Sequence, residues 1–172
     1  AALAFGGTSP AGAKLAVTES FNGSTWTELG DLTTARDAIS CGAGIITAAI
    51  AAGGSTPPYT AVTETWNGSS WTEVADLNSA RGYGAQATQG TTTAALYFGG
   101  QTTVSFDNTE SWNGTSWTEL ADLNTGRSRL GGAGTQTAAV AFGGGDPNDE
   151  TETWDGTSWT ETTNMAQSRG DL

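Results

Sequence analysis

Four times in this chain a glutamate is followed, 17 residues later, by an arginine: Glu19 to Arg36, Glu64 to Arg81, Glu110 to Arg127 and Glu152 to Arg169. Residues 64–81 read E-T-W-N-G-S-S-W-T-E-V-A-D-L-N-S-A-R, and 19–36, 110–127 and 152–169 are close copies with no insertion or deletion. The distance from each Arg to the next Glu does change, from 28 to 29 to 25 residues. A fixed module thus alternates with a variable one at a period of 42 to 46 residues. Such a period restricts the chain to repeat architectures, in which each unit buries its apolar face against a neighbour.

The fixed module predicts a β-hairpin. Thr and aromatic residues flank Asn-Gly or Asp-Gly, the pair that tolerates positive φ in tight turns. Val62, Glu64 and Trp66 share one face of the outgoing strand, and Trp71 starts the return strand. The variable module holds two more strands. One is apolar and ends in Gly-Gly at residues 1–7, 48–54, 94–100 and 138–144, a run that predicts burial on both faces. The other is the small-residue segment after each Arg, such as 82–89 and 129–136. Calling the four strands a (after Arg), b (ending Gly-Gly), c (Glu-x-aromatic) and d (Trp-Thr-Glu), each period predicts one four-stranded antiparallel propeller blade.

The order Arg, small-residue strand, apolar strand ending Gly-Gly, variable loop, Glu-x-aromatic-Asn/Asp, Trp and a later Arg resembles the Kelch repeat over nearly all 172 residues. The resemblance implies an all-β propeller of four four-stranded blades, with repeats near 1–36, 37–81, 82–127 and 128–172. The alternative is a larger ring completed by another chain or by a parent polypeptide. The chain departs from the family in its clipped Asn-Gly-x-x or Asp-Gly-x-x turn, and in Phe21, Trp66, Trp112 and Trp154 where the family has Tyr. It looks like Thr- and Gly-rich Kelch-like arrays of bacterial surface and phage-associated proteins. That likeness implies an extracellular, cell-surface or virion-associated place. Strand b comes first and only 170–172 follow the last Arg, so this stub is expected to supply the first blade's inner strand. The absence of an initiator Met predicts a processed product or a segment of something longer.

Composition narrows the chemistry. With 18 acidic and 6 basic residues the net charge is −12, which argues against nucleic-acid phosphates and anionic membrane surfaces. No apolar run is long enough to cross a membrane. Histidine is absent, and with it the commonest general base and transition-metal ligand. Some Kelch-type propellers are oxidases with a copper site built from His and Tyr, and this chain has no His. No cofactor and no metal site are expected, and the chain reads as a non-enzyme. The single Cys41, among small residues, reads as a buried thiol. The acidic run 146–150 reads as a turn rather than a calcium loop, since it lacks the ligand spacing. Arg169-Gly170-Asp171 spells an adhesion tripeptide, but its Arg is the repeat Arg. The Asn-Gly-Ser/Thr sequons at 22, 67 and 113 are turns first.

Two sets of side chains remain. Strand alternation places the b–c and d–a loops on one rim, and the b–c loops hold the sequence variety, as binding loops on a uniform scaffold do. Candidate binding residues there are Tyr59, Phe106, Asp146 and Asn148, with Lys14. The second set is the repeated charges. Glu19, Glu64, Glu110 and Glu152 point inward and need partners. Arg36, Arg81, Arg127 and Arg169 are expected either to lock loops to blades by pairing with them or to ring an axial opening that binds an anion or acidic glycan. Trp26, Trp71, Trp117 and Trp159 are expected to pack between blades. The leading expectation is a non-catalytic binding or surface-display module taking a glycan or protein ligand on the variable rim, with assembly into homo-oligomers open. A spacer or decoration protein is the alternative.

Overall fold

In a computed structural model of the chain, residues 1–39, 44–87, 91–145 and 148–172 are described. They form four antiparallel sheets, with no helix among them. The first sheet is β1 (Ala2–Phe5), β2 (Thr18–Phe21) and β3 (Trp26–Glu28). The second is β4 (Gly44–Ile45), β5 (Ala48–Ala52), β6 (Thr63–Trp66) and β7 (Trp71–Glu73). The third is β8 (Ala85–Ala87), β9 (Ala95–Phe98), β10 (Thr109–Trp112) and β11 (Trp117–Glu119). The fourth is β12 (Gly131–Gly134), β13 (Ala139–Phe142), β14 (Thr151–Trp154) and β15 (Trp159–Glu161). Within each sheet, neighbours in sequence are neighbours in space.

The hairpin chemistry repeats to the atom. Trp66 sits opposite Trp71 and Glu64 opposite Glu73, and the other three hairpins keep this register. In each four-residue connection glycine alone takes the positive φ, +96° at Gly68. The preceding Asn or Asp contributes its side chain. Asn67 Oδ1 accepts the N–H groups of Ser69 and Ser70 at 2.9 and 3.0 Å, and Asp155 accepts those of Thr157 and Ser158 at 2.8 Å. These Asx turns satisfy loop amides that the ladder leaves over. The Ser158 and Thr157 amides also hold the Asp155 carboxyl below its ordinary pKa.

Successive sheets pack face to face. Along β9, Leu96 and Phe98 point to the fourth sheet, while Ala95 and Tyr97 join Ile50 and Ala52 of the second. β5 and β9 are thus covered on both sides, as an unbroken apolar run predicts, whereas Ala2 and Ala4 of β1 are exposed and Val140 and Phe142 of β13 half-buried, because each end sheet has one neighbour. Ala49 and Ala51 face Leu3 and Phe5 of the first sheet. The Gly-Gly ending permits a close approach. A Cβ on Gly99 would lie 2.6 Å from the Arg127 carbonyl, and Gly100 N–H donates to that carbonyl at 2.9 Å.

Two expectations need correction at the ends of the array. The first sheet has three strands, not four. Residues 170–172 add no strand to it; instead Leu172 N–H donates to the Arg129 carbonyl at 3.3 Å, and the Leu172 side chain lies against Gly143. Trp26 is 51% exposed, unlike Trp71, Trp117 and Trp159, because no sheet among the described residues covers its face. Cys41 and Asp146 lie outside the described residues.

Candidate functional site

The repeated charges sit between sheets. Arg36 Nη1 meets Glu64 Oε1 at 2.5 Å, Arg81 Nη1 meets Glu110 Oε1 at 2.6 Å, and Arg127 Nη2 meets Glu152 Oε1 at 2.5 Å. All six side chains are at most 1% exposed. Each pair joins the Arg that closes one hairpin module to the Glu on strand c of the next sheet. The second carboxylate oxygen is also used. Glu64 Oε2 accepts Thr33 N–H at 2.7 Å, and Glu110 Oε2 accepts Asn78 N–H and Nδ2 at 2.8 and 2.7 Å. Asn124 repeats this with Glu152. Both forms of the expected lock, ion pair and amide-to-carboxylate bond, are therefore present together. At 0–1% exposure Arg36, Arg81 and Arg127 have no surface to offer an anion, so the axial ring of arginines is not formed.

The sequence reading missed the role of the Thr before each Glu. Alternation turns that Thr toward the opposite neighbour. Thr18 Oγ1 accepts Trp71 Nε1 at 2.9 Å, Thr63 accepts Trp117 at 3.0 Å, and Thr109 accepts Trp159 at 2.9 Å. The Thr-Glu dipeptide thus serves two interfaces, Glu backward and Thr forward. Its presence in all four copies was the available signal.

A second cluster forms where the chain leaves each hairpin module. Two residues past the repeat Arg, Ala38, Tyr83, Arg129 and Asp171 all adopt a left-handed backbone, with φ of 51–57°. Tyr83 N–H donates to the Ala38 carbonyl at 3.0 Å, and Arg129 N–H to the Tyr83 carbonyl at 2.6 Å. These bonds tie successive sheets at one end of the array and offset a strained conformation for a side chain with a Cβ. The four residues line one cavity of about 190 Å³, together with Ile39 and Leu172.

The cavity carries directed chemistry. The Arg129 guanidinium stands over the Tyr83 ring, 4.9 Å from its centre, and Arg129 Nε faces Asp171 Oδ1 at 3.5 Å. Both charged groups are open to solvent, at 45% and 81%. Tyr59, from the b–c loop of the second sheet, packs edge-on to Tyr83 at 6.4 Å. Its hydroxyl accepts Gln101 Nε2 from the next b–c loop at 3.3 Å. Beside them Lys14 Nζ meets Asp37 Oδ2 at 2.5 Å. Burial alone would raise the Asp37 carboxyl, but the bonds from Lys14 and Thr8 and the Lys14 charge outweigh it and hold its pKa below the ordinary value.

Of the loop candidates, the structure brings Tyr59 to this cluster and leaves two outside it. Phe106 is half-buried and supports its loop through its backbone, accepting Arg127 N–H at 3.0 Å. Asn148 accepts Glu150 N–H at 2.6 Å through its side chain and Arg169 N–H at 3.1 Å through its carbonyl. Tyr83 and Arg129 were not singled out as site residues. Their signal was positional: the residue two past each repeat Arg is Ala, Tyr, Arg or Asp, variety inside an otherwise constant frame. Compared with known proteins, the chain matches no family model, and no curated protein is significantly similar to it.

Proposed function

We propose that the chain is a non-catalytic recognition module, a Kelch-like propeller whose variable rim takes a glycan or protein ligand at an exposed surface. The observation that carries the reading is the contrast between sheets locked by buried, repeated contacts and one cavity where every repeat presents a different side chain. Function on such scaffolds sits in the variable positions. A tyrosine ring with a guanidinium, a carboxylate and a loop tyrosine beside it offers stacking and hydrogen bonding to one sugar ring or one protein side chain. A hollow of about 190 Å³ is smaller than the roughly 300 Å³ and upward typical of drug-sized ligands. The net charge of −12 suits an exposed display protein that keeps clear of anionic surfaces.

The test is a glycan array followed by titration of any hit against three proteins: the parent chain, Tyr83→Ala and Arg129→Ala. Ala38 holds the same left-handed backbone, so both replacements keep the fold. Saturable binding is expected, weakened at least about 10-fold in each variant, which is roughly 1.4 kcal/mol. Binding that neither variant alters would remove the cavity from the reading. A second reading, a structural decoration within an assembly, is favoured by the unpaired faces at the two ends of the array. A clean array together with tight association to a scaffold protein would support it instead.

A further inference from the structure

The three internal interfaces share one contact set, and the two ends of the array each carry half of a fourth. On the first sheet, Glu19 is exposed and has no ion-pair partner among the described residues, although Glu64, Glu110 and Glu152 are buried and paired. Trp26, 51% exposed, occupies the position from which Trp71, Trp117 and Trp159 bond back to the preceding sheet. On the fourth sheet, Arg169 is exposed and likewise unpaired among the described residues. Thr151, the counterpart of Thr18, Thr63 and Thr109, receives no indole there. Phe142 stands where Phe5 and Phe98 stand. Those two pack edge-on against the tryptophan of the following sheet at 4.7 and 4.8 Å, whereas Phe142 is half-exposed. The same region of the fourth sheet carries a mostly apolar hollow of about 410 Å³ beside Ala133, Val140 and Thr153.

We propose that these faces bind one another between two copies of this chain, head to tail. The first sheet of one copy docks on the fourth sheet of another, in the register of the internal interfaces. Glu19 of one copy then takes Arg169 and the Ala166 N–H of the other. Trp26 Nε1 reaches Thr151 Oγ1, and the Trp26 ring covers Phe142. Opposite charges at matching positions, an exposed tryptophan on one face and a half-exposed phenylalanine on the other select the same chain as the partner. Such an interface is heterologous, so it closes a ring or propagates a filament as its rotation dictates.

The test is the solution mass by light scattering over a concentration series, with Trp fluorescence. The parent chain should rise above its single-chain 17.4 kDa with concentration, with a blue shift as Trp26 is covered. Glu19→Arg and Arg169→Glu should each associate roughly 100-fold or more weakly, since each buries like charges. Their equimolar mixture should associate again, because the Glu19→Arg copy keeps Arg169 and the Arg169→Glu copy keeps Glu19. Both sites are exposed in the single chain, so neither variant should change the monomer's urea midpoint. A parent mass fixed at 17.4 kDa, or association unchanged in both variants, would overturn the proposal. So would a loss of monomer stability in both variants, since that would mean the faces meet within one chain.

Discussion

The lock between the second and third sheets can be broken from one side. Arg81→Met removes the guanidinium and leaves Glu110, 1% exposed, with Oε1 unpaired. Glu110 Oε2 keeps only its bonds from Asn78. The substitution also removes donors to the Gly99 and Ser79 carbonyls and a cation lying 4.6 Å from the centre of the Tyr97 ring. Stranding one member of a buried pair costs about 3–5 kcal/mol. For a chain of this size each kcal/mol moves Tm by roughly 2–4 °C, so the melting point should fall by about 6–20 °C. Glu110→Leu should cost a similar amount, because it strands Arg81. The double variant should cost far less than the sum, since replacing a whole buried pair by apolar groups is often neutral. Urea unfolding followed by tryptophan fluorescence gives the coupling energy of the cycle. Arg169→Met is the internal control. It removes the same repeated residue where nothing among the described residues pairs with it, and in dilute solution it should change stability by less than about 0.5 kcal/mol. Additive single effects, or an Arg169→Met variant as damaging as Arg81→Met, would refute the reasoning.

Other outcomes follow from the same contacts. Trp117→Phe keeps most of the buried ring and loses the bond to Thr63, so it should cost about 1–3 kcal/mol, while Trp26→Phe should leave the dilute chain's urea midpoint unchanged. Gly99→Ala forces a Cβ against the Arg127 carbonyl in a left-handed backbone and should cost at least about 2 kcal/mol; Gly7→Ala, with φ of +103° and open space around it, should be milder by the same assay. Asp37 has a lowered folded pKa, so its contribution is fully present above the ordinary carboxylate pKa and lost as pH falls through the folded value. Lys14→Met should accordingly be less stable than the parent at neutral pH, by about 1 kcal/mol for this half-buried pair at the surface, and the two melting curves should converge in acid.

Much of this arrangement is legible in the chain. Alternation along Thr-Glu-Thr-Trp puts Glu64 beside Trp66 on a face that needs a cation, and a strictly spaced Arg supplies it. What escapes is whatever depends on a neighbour rather than on the repeat. The hairpin bearing Trp26 reads like the hairpin bearing Trp71, yet one ring is bare and the other covered, because exposure is set by the next sheet. The left-handed backbone at Ala38, Tyr83 and Arg129 escapes for a related reason. None of these is a glycine or asparagine, and the conformation is held by bonds from the adjacent sheet, which local propensity does not register. Tyr59 was legible as a loop aromatic, but its meeting with Tyr83 depends on how two sheets pack.

The most direct measurement is indole N–H exchange of the seven tryptophans by NMR, in solution dilute enough to keep copies apart. Trp66, Trp112 and Trp154 donate to the Ile46, Thr92 and Gln136 carbonyls, and Trp71, Trp117 and Trp159 donate across the sheet interfaces. Six slow indoles and a single fast one, Trp26, are the predicted result. Fast exchange at Trp71, Trp117 and Trp159, or a Trp26 as slow as they are in the single chain, would contradict the account of locked sheets with two open end faces.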